Sequence, residues 1–278
     1  MRHMFRLIVI SLVSSAFSVS AFAQTEEDYH PFLSDKFNIG IGGYWPKIDF
    51  SLQVDGTDPN DEIDFDEALN LSDYQASALV DFTWRFGEKW VLGAQYWSTS
   101  TSGKAELEED VEWGDVVFKE GTFVKGGAGV DIARVFVGRE LFTTDPKHEF
   151  GAGIGLHWMN LDTFLEGDVV TENNELGFKR VTASAAFPLP NIGAWYAYSW
   201  SPKWMLSARI DWLSANIGDY SGGLWDANAG VNYQAFDKIG FGFYIQGFSL
   251  DVDVDKDDWH GKAEFKQLGP MLTVTATW

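Results

Sequence analysis

One set of residues has the types that a hydrolase needs. Ser207 could act as a nucleophile, His157 as its general base, and Asp211 as the carboxylate that orients the base. Such a triad works only when the three side chains are in contact. No spacing in the sequence ties them together, so we interpret His157 as a hydrogen-bonded packing residue and assign no catalytic residue.

A second set lies near the end of the chain. The stretch Asp257-Asp258-Trp259-His260 places acidic groups beside a histidine, as general-base chemistry requires. Together with Asp251, Asp253 and Asp255 it forms an acidic run, but the spacing and central glycine of an EF-hand are absent. We interpret the run as a solvated loop, and the sequence predicts no metal ion and no cofactor.

These residues belong to segments in which apolar and polar side chains alternate, which is typical of half-exposed β-strands. In residues 74–86, for example, Asp81 and Arg85 fall on one face and alternate apolar residues on the other. The connections between such segments are alternately short and long. Ten strands are predicted, near 36–54, 73–86, 89–103, 128–142, 148–165, 178–200, 204–216, 224–236, 239–254 and 261–278.

The pattern predicts an all-β fold, an antiparallel up-and-down transmembrane β-barrel of ten strands. Outer-membrane barrels have short periplasmic turns and longer outer loops, as these connections do. Twelve strands is one alternative because residues 111–124 could form an additional hairpin, and eight strands is another. A soluble periplasmic β-protein is the competing class.

The beginning of the sequence has the pattern of an export signal. Arg2 and Arg6 precede an apolar run, which ends in the small-residue cleavage pattern Ala21-Phe22-Ala23. We therefore predict a signal peptide at 1–23, a periplasmic N-terminal tail at 24–35 and the barrel at 36–278.

Composition narrows the class further. The chain of 278 residues has 41 acidic against 20 basic residues and no cysteine, which argues against a nucleic-acid partner. Its 13 Trp, 9 Tyr and 22 Phe exceed what a soluble sandwich needs, and barrels place such residues in girdles at both membrane interfaces. Composition thus favours the outer membrane of a Gram-negative cell.

The last strand carries a further signal. Leu272, Val274, Ala276 and Trp278 alternate with threonines, and the final residue is aromatic. This pattern resembles the terminal strand of bacterial outer-membrane barrels. The resemblance implies that these four residues form the insertion signal and that the barrel-assembly machinery is a partner.

Several short motifs resemble a proteobacterial family of outer-membrane barrels across nearly the whole processed chain. They are Asp64-Phe65, Leu69, Trp84-Arg85-Phe86, Gly155-Leu156-His157, Phe187-Pro188-Leu189-Pro190, Asp219-Tyr220 and Gly269-Pro270. The family has no assigned activity, so the resemblance implies fold and location and nothing about mechanism.

If the barrel forms, alternation directs a set of charged and polar side chains into its interior. The lumen-facing candidates are Asp81, Arg85, Arg134, Glu140, His157, Arg209, Asp211 and Asp226. Since buried charges need partners, charges of both signs predict pairs that fill a narrow lumen. The alternative is an ion-conducting channel, in which the acidic excess would favour cations.

Two prolines interrupt a predicted strand. Pro188 and Pro190 remove two backbone donors on the same side of that strand. They fit a bulge beyond the hydrocarbon zone, where water replaces the lost donors. Alternatively they mark a lateral opening, which would resemble the proline-interrupted barrels of outer-membrane palmitoyltransferases, or a place where a partner strand docks.

The sequence therefore predicts a monomeric barrel without enzymatic activity, either structural or a narrow passage for small or apolar solutes. Its expected partners are outer-membrane lipids and lipopolysaccharide. The alternative is a lipid-handling barrel, or an enzyme that modifies lipid A or phospholipids, with a lateral opening near Pro188 and Pro190. A resemblance to the ten-stranded omptin proteases rests only on the acidic groups beside His260, and no second catalytic pair is identifiable.

Overall fold

The computed structural model describes residues 28–55, 63–64, 75–107, 111–113, 116–141, 144–170, 176–217, 220–256 and 259–278. The predicted signal peptide at 1–23 lies outside these residues, as do positions 24–27 of the predicted tail. No helix in the described ranges is long and apolar enough to cross a membrane.

Almost all described residues belong to β-strands, as the alternating sequence requires. A 3-10 helix at Pro31–Leu33 precedes them. The strands are β1 (Phe37–Tyr44), β2 (Lys47–Asp55), β3 (Ile63–Asp64), β4 (Ser77–Phe86), β5 (Trp90–Glu106), β6 (Val111–Trp113), β7 (Val116–Phe118), β8 (Phe123–Glu140), β9 (His148–Val170), β10 (Leu176–Ser201), β11 (Trp204–Ile217), β12 (Tyr220–Gln234), β13 (Ile239–Lys256) and β14 (Trp259–Thr277).

The sheet closes on itself, and the prediction of a ten-stranded antiparallel barrel is confirmed. β1 pairs with β4 on one side and with β14 on the other, which joins the two ends of the sheet. β1 and β2 act as one strand, interrupted at Trp45 and Pro46, since both pair with β14. The hairpin that the twelve-strand alternative placed in 111–124 forms within 111–118 as β6 and β7, in a separate two-stranded sheet.

The two ends of the barrel differ. One end carries the short connections between β4 and β5, between β10 and β11, and between β12 and β13, together with the N-terminal segment 28–35. We call it the turn end, and the opposite end the loop end. β9 and β10 have 23 and 26 residues, so this hairpin projects far beyond the loop-end limits of β11 and β12.

β14 shows how side-chain polarity changes along the barrel. Near the turn end Leu272, Val274 and Trp278 point outward with about half of their surface exposed (51%, 50% and 46%). Ala276 shares that outward face. Nearer the loop end the outward positions instead carry charge, at Lys262, Glu264 and Lys266.

The inward face of the same strand changes in the opposite sense. Thr273, Thr275 and Thr277 face the lumen near the turn end, whereas Met271 and Phe265 face it toward the loop end. The turn-end half is therefore apolar outside and polar inside, as membrane barrels are. The loop-end half is polar outside and apolar inside, as water-soluble β-barrels are.

The apolar interior of the loop-end half forms the main core. Its largest fully buried side chains include Trp97, Tyr44, Phe248, Ile132 and Met159. Each such aliphatic or aromatic side chain stabilises the fold by roughly 1.5–3 kcal/mol through burial. This core closes the lumen at the loop-end side, so the polar groups that could bind or transport something lie in the turn-end half.

Candidate functional site

The centre of the lumen contains a hydrogen-bonded ionic network. Arg134 on β8 donates from both Nε and Nη2 to the Asp211 carboxylate, the latter at 2.9 Å from Oδ1. Arg209 donates to Asp211 Oδ2 at 2.6 Å and to Asp226 Oδ2 at 2.9 Å. Both aspartates are fully buried. Each buried charge thus has a charged partner, which is the condition under which burial of charge is tolerated.

His157 on β9 joins this network. Its Nε2 lies 3.1 Å from Asp226 Oδ2, and its Nδ1 lies 3.1 Å from the Asn191 Oδ1. The ligand atoms of His157, Asp211 and Asp226 lie within 4.8 Å of one another, close enough to hold a metal ion. Two guanidinium groups already bind these carboxylates, however, so the arrangement is that of an ion-pair cluster.

Amide side chains extend the network toward the apolar core. Gln95 accepts from Arg209 Nη2 at 3.1 Å and donates to Gln246 Oε1 at 3.4 Å. Closer to the loop end, the Gln267 side chain accepts a hydrogen bond from the Trp97 indole N–H at 3.2 Å. These amides, like Asn191, were absent from the predicted set because that set was limited to ionisable residues. Strand alternation alone would have placed them on the inward face.

A second ion pair lies nearer the turn end. Arg85 Nη1 donates to Glu149 Oε2 at 2.5 Å, and the Trp195 indole donates to the other oxygen of Glu149. Glu140 sits at the rim, within the electrostatic reach of Arg85 and Lys89. Glu149 and Trp195 were not in the predicted set.

The N-terminal segment folds back across this end of the lumen. Arg85 donates from Nε and Nη2 to the backbone carbonyl of Phe32, at 3.2 and 3.0 Å. The His30 N–H donates to Ser199 Oγ at 2.7 Å, and Lys147 donates to Asp28 at 2.7 Å. Burial of the His30 imidazole lowers its pKa to about 4. Segment 28–33 thus forms a floor to the lumen that sequence reasoning had treated only as a tail.

A cavity of about 160 Å³ lies between this floor and the ionic network. Its lining includes Phe32 from the floor, Arg209 from the network, and the rings of Phe136, Trp195 and Tyr244. Asp81 on β4 also lines the cavity and is partly exposed to it. The structure therefore places all eight predicted polar residues on the inward face, divided among the network, the rim and this cavity.

The wall of the barrel is interrupted where the two prolines lie. β10 pairs with β9 without a break from Leu176 to Tyr198, through Pro188 and Pro190. Its pairing with β11, by contrast, begins only at Ile192, opposite Trp212. β11 continues to Ile217 and pairs there with β12. On the described residues, the β10–β11 ladder thus ends at the prolines.

Strand geometry explains why only one ladder is affected. Ser199 donates its N–H toward β9, to the Lys147 carbonyl at 2.8 Å. Because backbone groups alternate along a strand, the nitrogens of Pro188 and Pro190 face β11. Proline has no N–H to donate, so the β11 side is the side that loses its hydrogen bonds.

The interruption begins at the level of an outer ring of aromatic residues. Pro188 pairs with Trp158, and the last paired position, Ile192, lies opposite Trp212; both tryptophans are exposed on the outward face. Behind the prolines, Leu189 and Leu213 pack against the apolar core from the two separated strands. Apolar core side chains thus lie on both strands where the ladder ends.

The hydrolase set is not assembled. Ser207 Oγ contacts the Tyr244 hydroxyl at 3.4 Å, whereas His157 is held by Asn191 and Asp226. Asp257 and Asp258 lie outside the described residues, as does the side chain of His260. The expectation about a rim protease site therefore falls on a part of the chain that the structure does not describe.

Comparison with known proteins shows the fold. No family model and no curated protein matches the chain. The solved structure of the outer membrane protease OmpT from Escherichia coli matches with a TM-score of 0.52 and 8% identity, over 87% of this chain and 97% of that one. The P. putida toluene transporter TodX matches at 0.34 and 10%, over 89% and 91% of the two chains. The attachment invasion locus protein Ail of Yersinia pestis matches at 0.29 and 7%, over 85% and 98%.

The fold class of the protein follows from the closed barrel and from the match to OmpT. The chain has the fold of the outer-membrane β-barrel proteins. At 8% identity the match to OmpT shows a fold and assigns no activity.

Proposed function

We propose that the protein is a non-enzymatic barrel of the Gram-negative outer membrane with a closed lumen, which serves a structural role there. It spans the membrane with its turn-end half and presents the loop-end half as folded β-structure on the outer surface. The turn end then faces the periplasm. The observation that carries the proposal is the ionic network of Arg134, Arg209, Asp211 and Asp226, which fills the lumen with mutually paired charges.

Two further features support a closed barrel. The apolar core occupies the lumen on the outer side of the network, and segment 28–33 covers it on the periplasmic side. Ser207 and His157 are held by other partners, which removes the hydrolase arrangement that the sequence offered. A barrel whose lumen is filled at three levels is suited to a structural role and to presenting its outer half at the cell surface, rather than to diffusion of solutes through the lumen.

Two measurements test this proposal. Purified protein in planar bilayers is expected to give no stable conductance step, because the apolar core and the ion-paired network fill the lumen. Lipid A and phospholipids from cells with and without the gene are expected to have the same masses. A reproducible open-channel current, or a gene-dependent acyl change, would contradict the proposal.

A lateral passage for an acyl chain is the second candidate, favoured by the end of the β10–β11 ladder at Pro188 and Pro190. The gap lies at the level of the outward-facing tryptophans, where lipid of the outer leaflet would meet the barrel wall. Leu189 and Leu213 connect it to the apolar core. An apolar chain entering there would meet Leu189 and Leu213 first.

A photocrosslinking amino acid at Leu189 tests this second candidate. If the wall opens, it should form adducts with acyl chains in the native membrane. The same label at Leu161 is the matched control, because Leu161 packs against the same core but on β9, which is paired on both sides. Adducts at neither position, or equal labelling at both, would argue against an opening at the prolines.

Lipopolysaccharide and the barrel-assembly machinery are the proposed partners, with the chain acting as a monomer. Exposed basic groups of the loop-end half support the first of these. Lys179, Arg180 and Lys262 are exposed there, and Arg180 is already paired with Glu166 at 2.7 Å. Leu272, Val274, Ala276 and Trp278 line the outward face of the last strand, where an assembly factor could contact them.

A further inference from the structure

Asp81 is an anomaly in an interior where the other described carboxylates are paired. Among the described inward-facing groups beyond the rim, the carboxylates are Asp81, Glu149, Asp211 and Asp226, and the guanidinium groups are Arg85, Arg134 and Arg209. Arg85 binds Glu149, and the other two arginines bind Asp211 and Asp226. No described side chain forms a hydrogen bond or ion pair with Asp81.

The described interior groups include four carboxylates and three guanidinium groups, and His157 does not supply the missing positive charge at Asp81. A protonated imidazole would equalise the number of charges, but His157 contacts Asp226, which Arg209 already binds. A positive charge there leaves the Asp81 carboxylate without a direct partner. Arg209 also lines the cavity and acts on Asp81 through space, but it binds Asp211 and Asp226, so the Asp81 carboxylate has no directly bound cation at the cavity wall.

The chain makes room for the Asp81 carboxylate. It lies over Gly40 on the neighbouring strand β1, where a Cβ atom would clash with the carboxylate oxygens. On its other side β4 pairs Asp81 with Gln95, whose amide is engaged by Arg209 and Gln246. The carboxylate is thus held at the cavity wall and partly exposed to the enclosed space.

We infer that this cavity is a binding site for a small organic ammonium ion, with Asp81 as its counter-ion. The cavity is about as large as apolar protein cavities that hold a benzene-sized molecule. Phe136, Trp195 and Tyr244 contribute aromatic surface to its lining. One carboxylate combined with aromatic rings is the chemistry that recognises alkylammonium groups.

A bare metal ion fits less well. Calcium takes six to eight oxygen ligands, whereas Asp81 is the one carboxylate of the described lining that is not bound to a guanidinium. An anionic ligand would be repelled by Asp81, and the three guanidinium groups of the lining are already bound to carboxylates. The ligand would enter from the periplasmic side, where segment 28–33 closes the cavity with Phe32.

Calorimetry on the refolded full-length chain, with choline as the probe, tests the inference. Choline should bind saturably, and 3,3-dimethylbutan-1-ol, its uncharged isostere, should bind at least about tenfold more weakly, a difference of about 1.4 kcal/mol. Asp81→Asn should weaken choline binding by a similar factor. The matched control is Asp237→Asn, an exposed carboxylate in a turn, which should leave binding unchanged.

A second variant tests the inference without depending on whether Asp81→Asn folds. Ala197 lines the cavity and is 2% exposed. Ala197→Leu should fill part of the space and abolish choline binding while Asp81 remains. Absence of choline binding to the unmodified protein, equal binding of the neutral isostere, or unchanged binding in Asp81→Asn would each overturn the assignment.

Discussion

At the scale of single residues, the protein depends on how charge is placed inside the lumen. Arg209 is the central member, since it binds Asp211, Asp226 and Gln95 together. An isolated charge in such an interior costs several kcal/mol, so the network is stable only as a whole. Removing one member leaves its partners charged and buried.

We therefore expect Arg209→Met to destabilise the barrel by about 3–5 kcal/mol, because Asp226 loses its guanidinium partner. The measurement is urea unfolding of the refolded protein in detergent. Adding Asp226→Asn should restore a substantial part of the loss. The control is Lys47→Met, whose partner Asp49 is half exposed, and it should change stability by less than about 1 kcal/mol. Equal effects of the two single variants would contradict the paired network.

At the scale of elements, two places lack a sheet ladder: segment 28–33, and the side of β10 that faces β11 beyond Ile192. The segment is held by the bonds of His30, Phe32 and Asp28 to the barrel, without a sheet ladder. His30 has to be uncharged to remain buried, because burial lowers its pKa from 6.5 to about 4. Docking of the segment is therefore coupled to protonation.

The docked segment should loosen as the pH falls from 6.5 toward 4. In that window the undocked His30 binds a proton and the docked one does not, so docking is strongest above pH 6.5 and weakens by at most about 3 kcal/mol below pH 4. The chain has no cysteine, so a spin label at Ser34→Cys reports the mobility of the segment alone.

His30→Asn is the control for this titration, because asparagine can still cap the short helix but does not titrate. It should flatten the pH dependence of the label's mobility. A label that is equally immobile at pH 7.5 and pH 4.5 in the unmodified protein would show that His30 does not govern docking.

At the scale of the whole molecule, the defining property is the exchange of polarity between the two halves. The strands keep one alternation throughout, but the apolar face is outward in the turn-end half and inward in the loop-end half. A lipid solvent on one side of the boundary and water on the other would stabilise both halves at once.

Substitutions on the outward face should therefore have different costs in the two halves of a single strand. Val274→Arg, on the outward apolar face, should destabilise the protein in lipid bilayers by about 2–4 kcal/mol. Lys262→Ala, on the outward charged face of the same strand, should change stability by less than about 0.5 kcal/mol. Unfolding in liposomes measures both. Similar small effects at both positions would show that no membrane boundary separates them.

The sequence by itself determined the closed antiparallel barrel, its ten strands and the outward position of apolar residues such as Val274. These depend on a period of two residues, which is local and can be read along the chain. The hairpin in 111–124 was considered only as part of a twelve-strand alternative, whereas β6 and β7 form a sheet separate from the barrel.

Only the tertiary structure decided which residues meet across the lumen. Arg134 and Asp211 are 77 positions apart, and their contact depends on the register and curvature of the closed sheet, which no local pattern encodes. The same reason applies to Asp81, which faces the same interior as Arg209 yet forms no hydrogen bond or ion pair with any described side chain. It also applies to segment 28–33, whose docking onto Arg85 and Ser199 exists only once the barrel has formed.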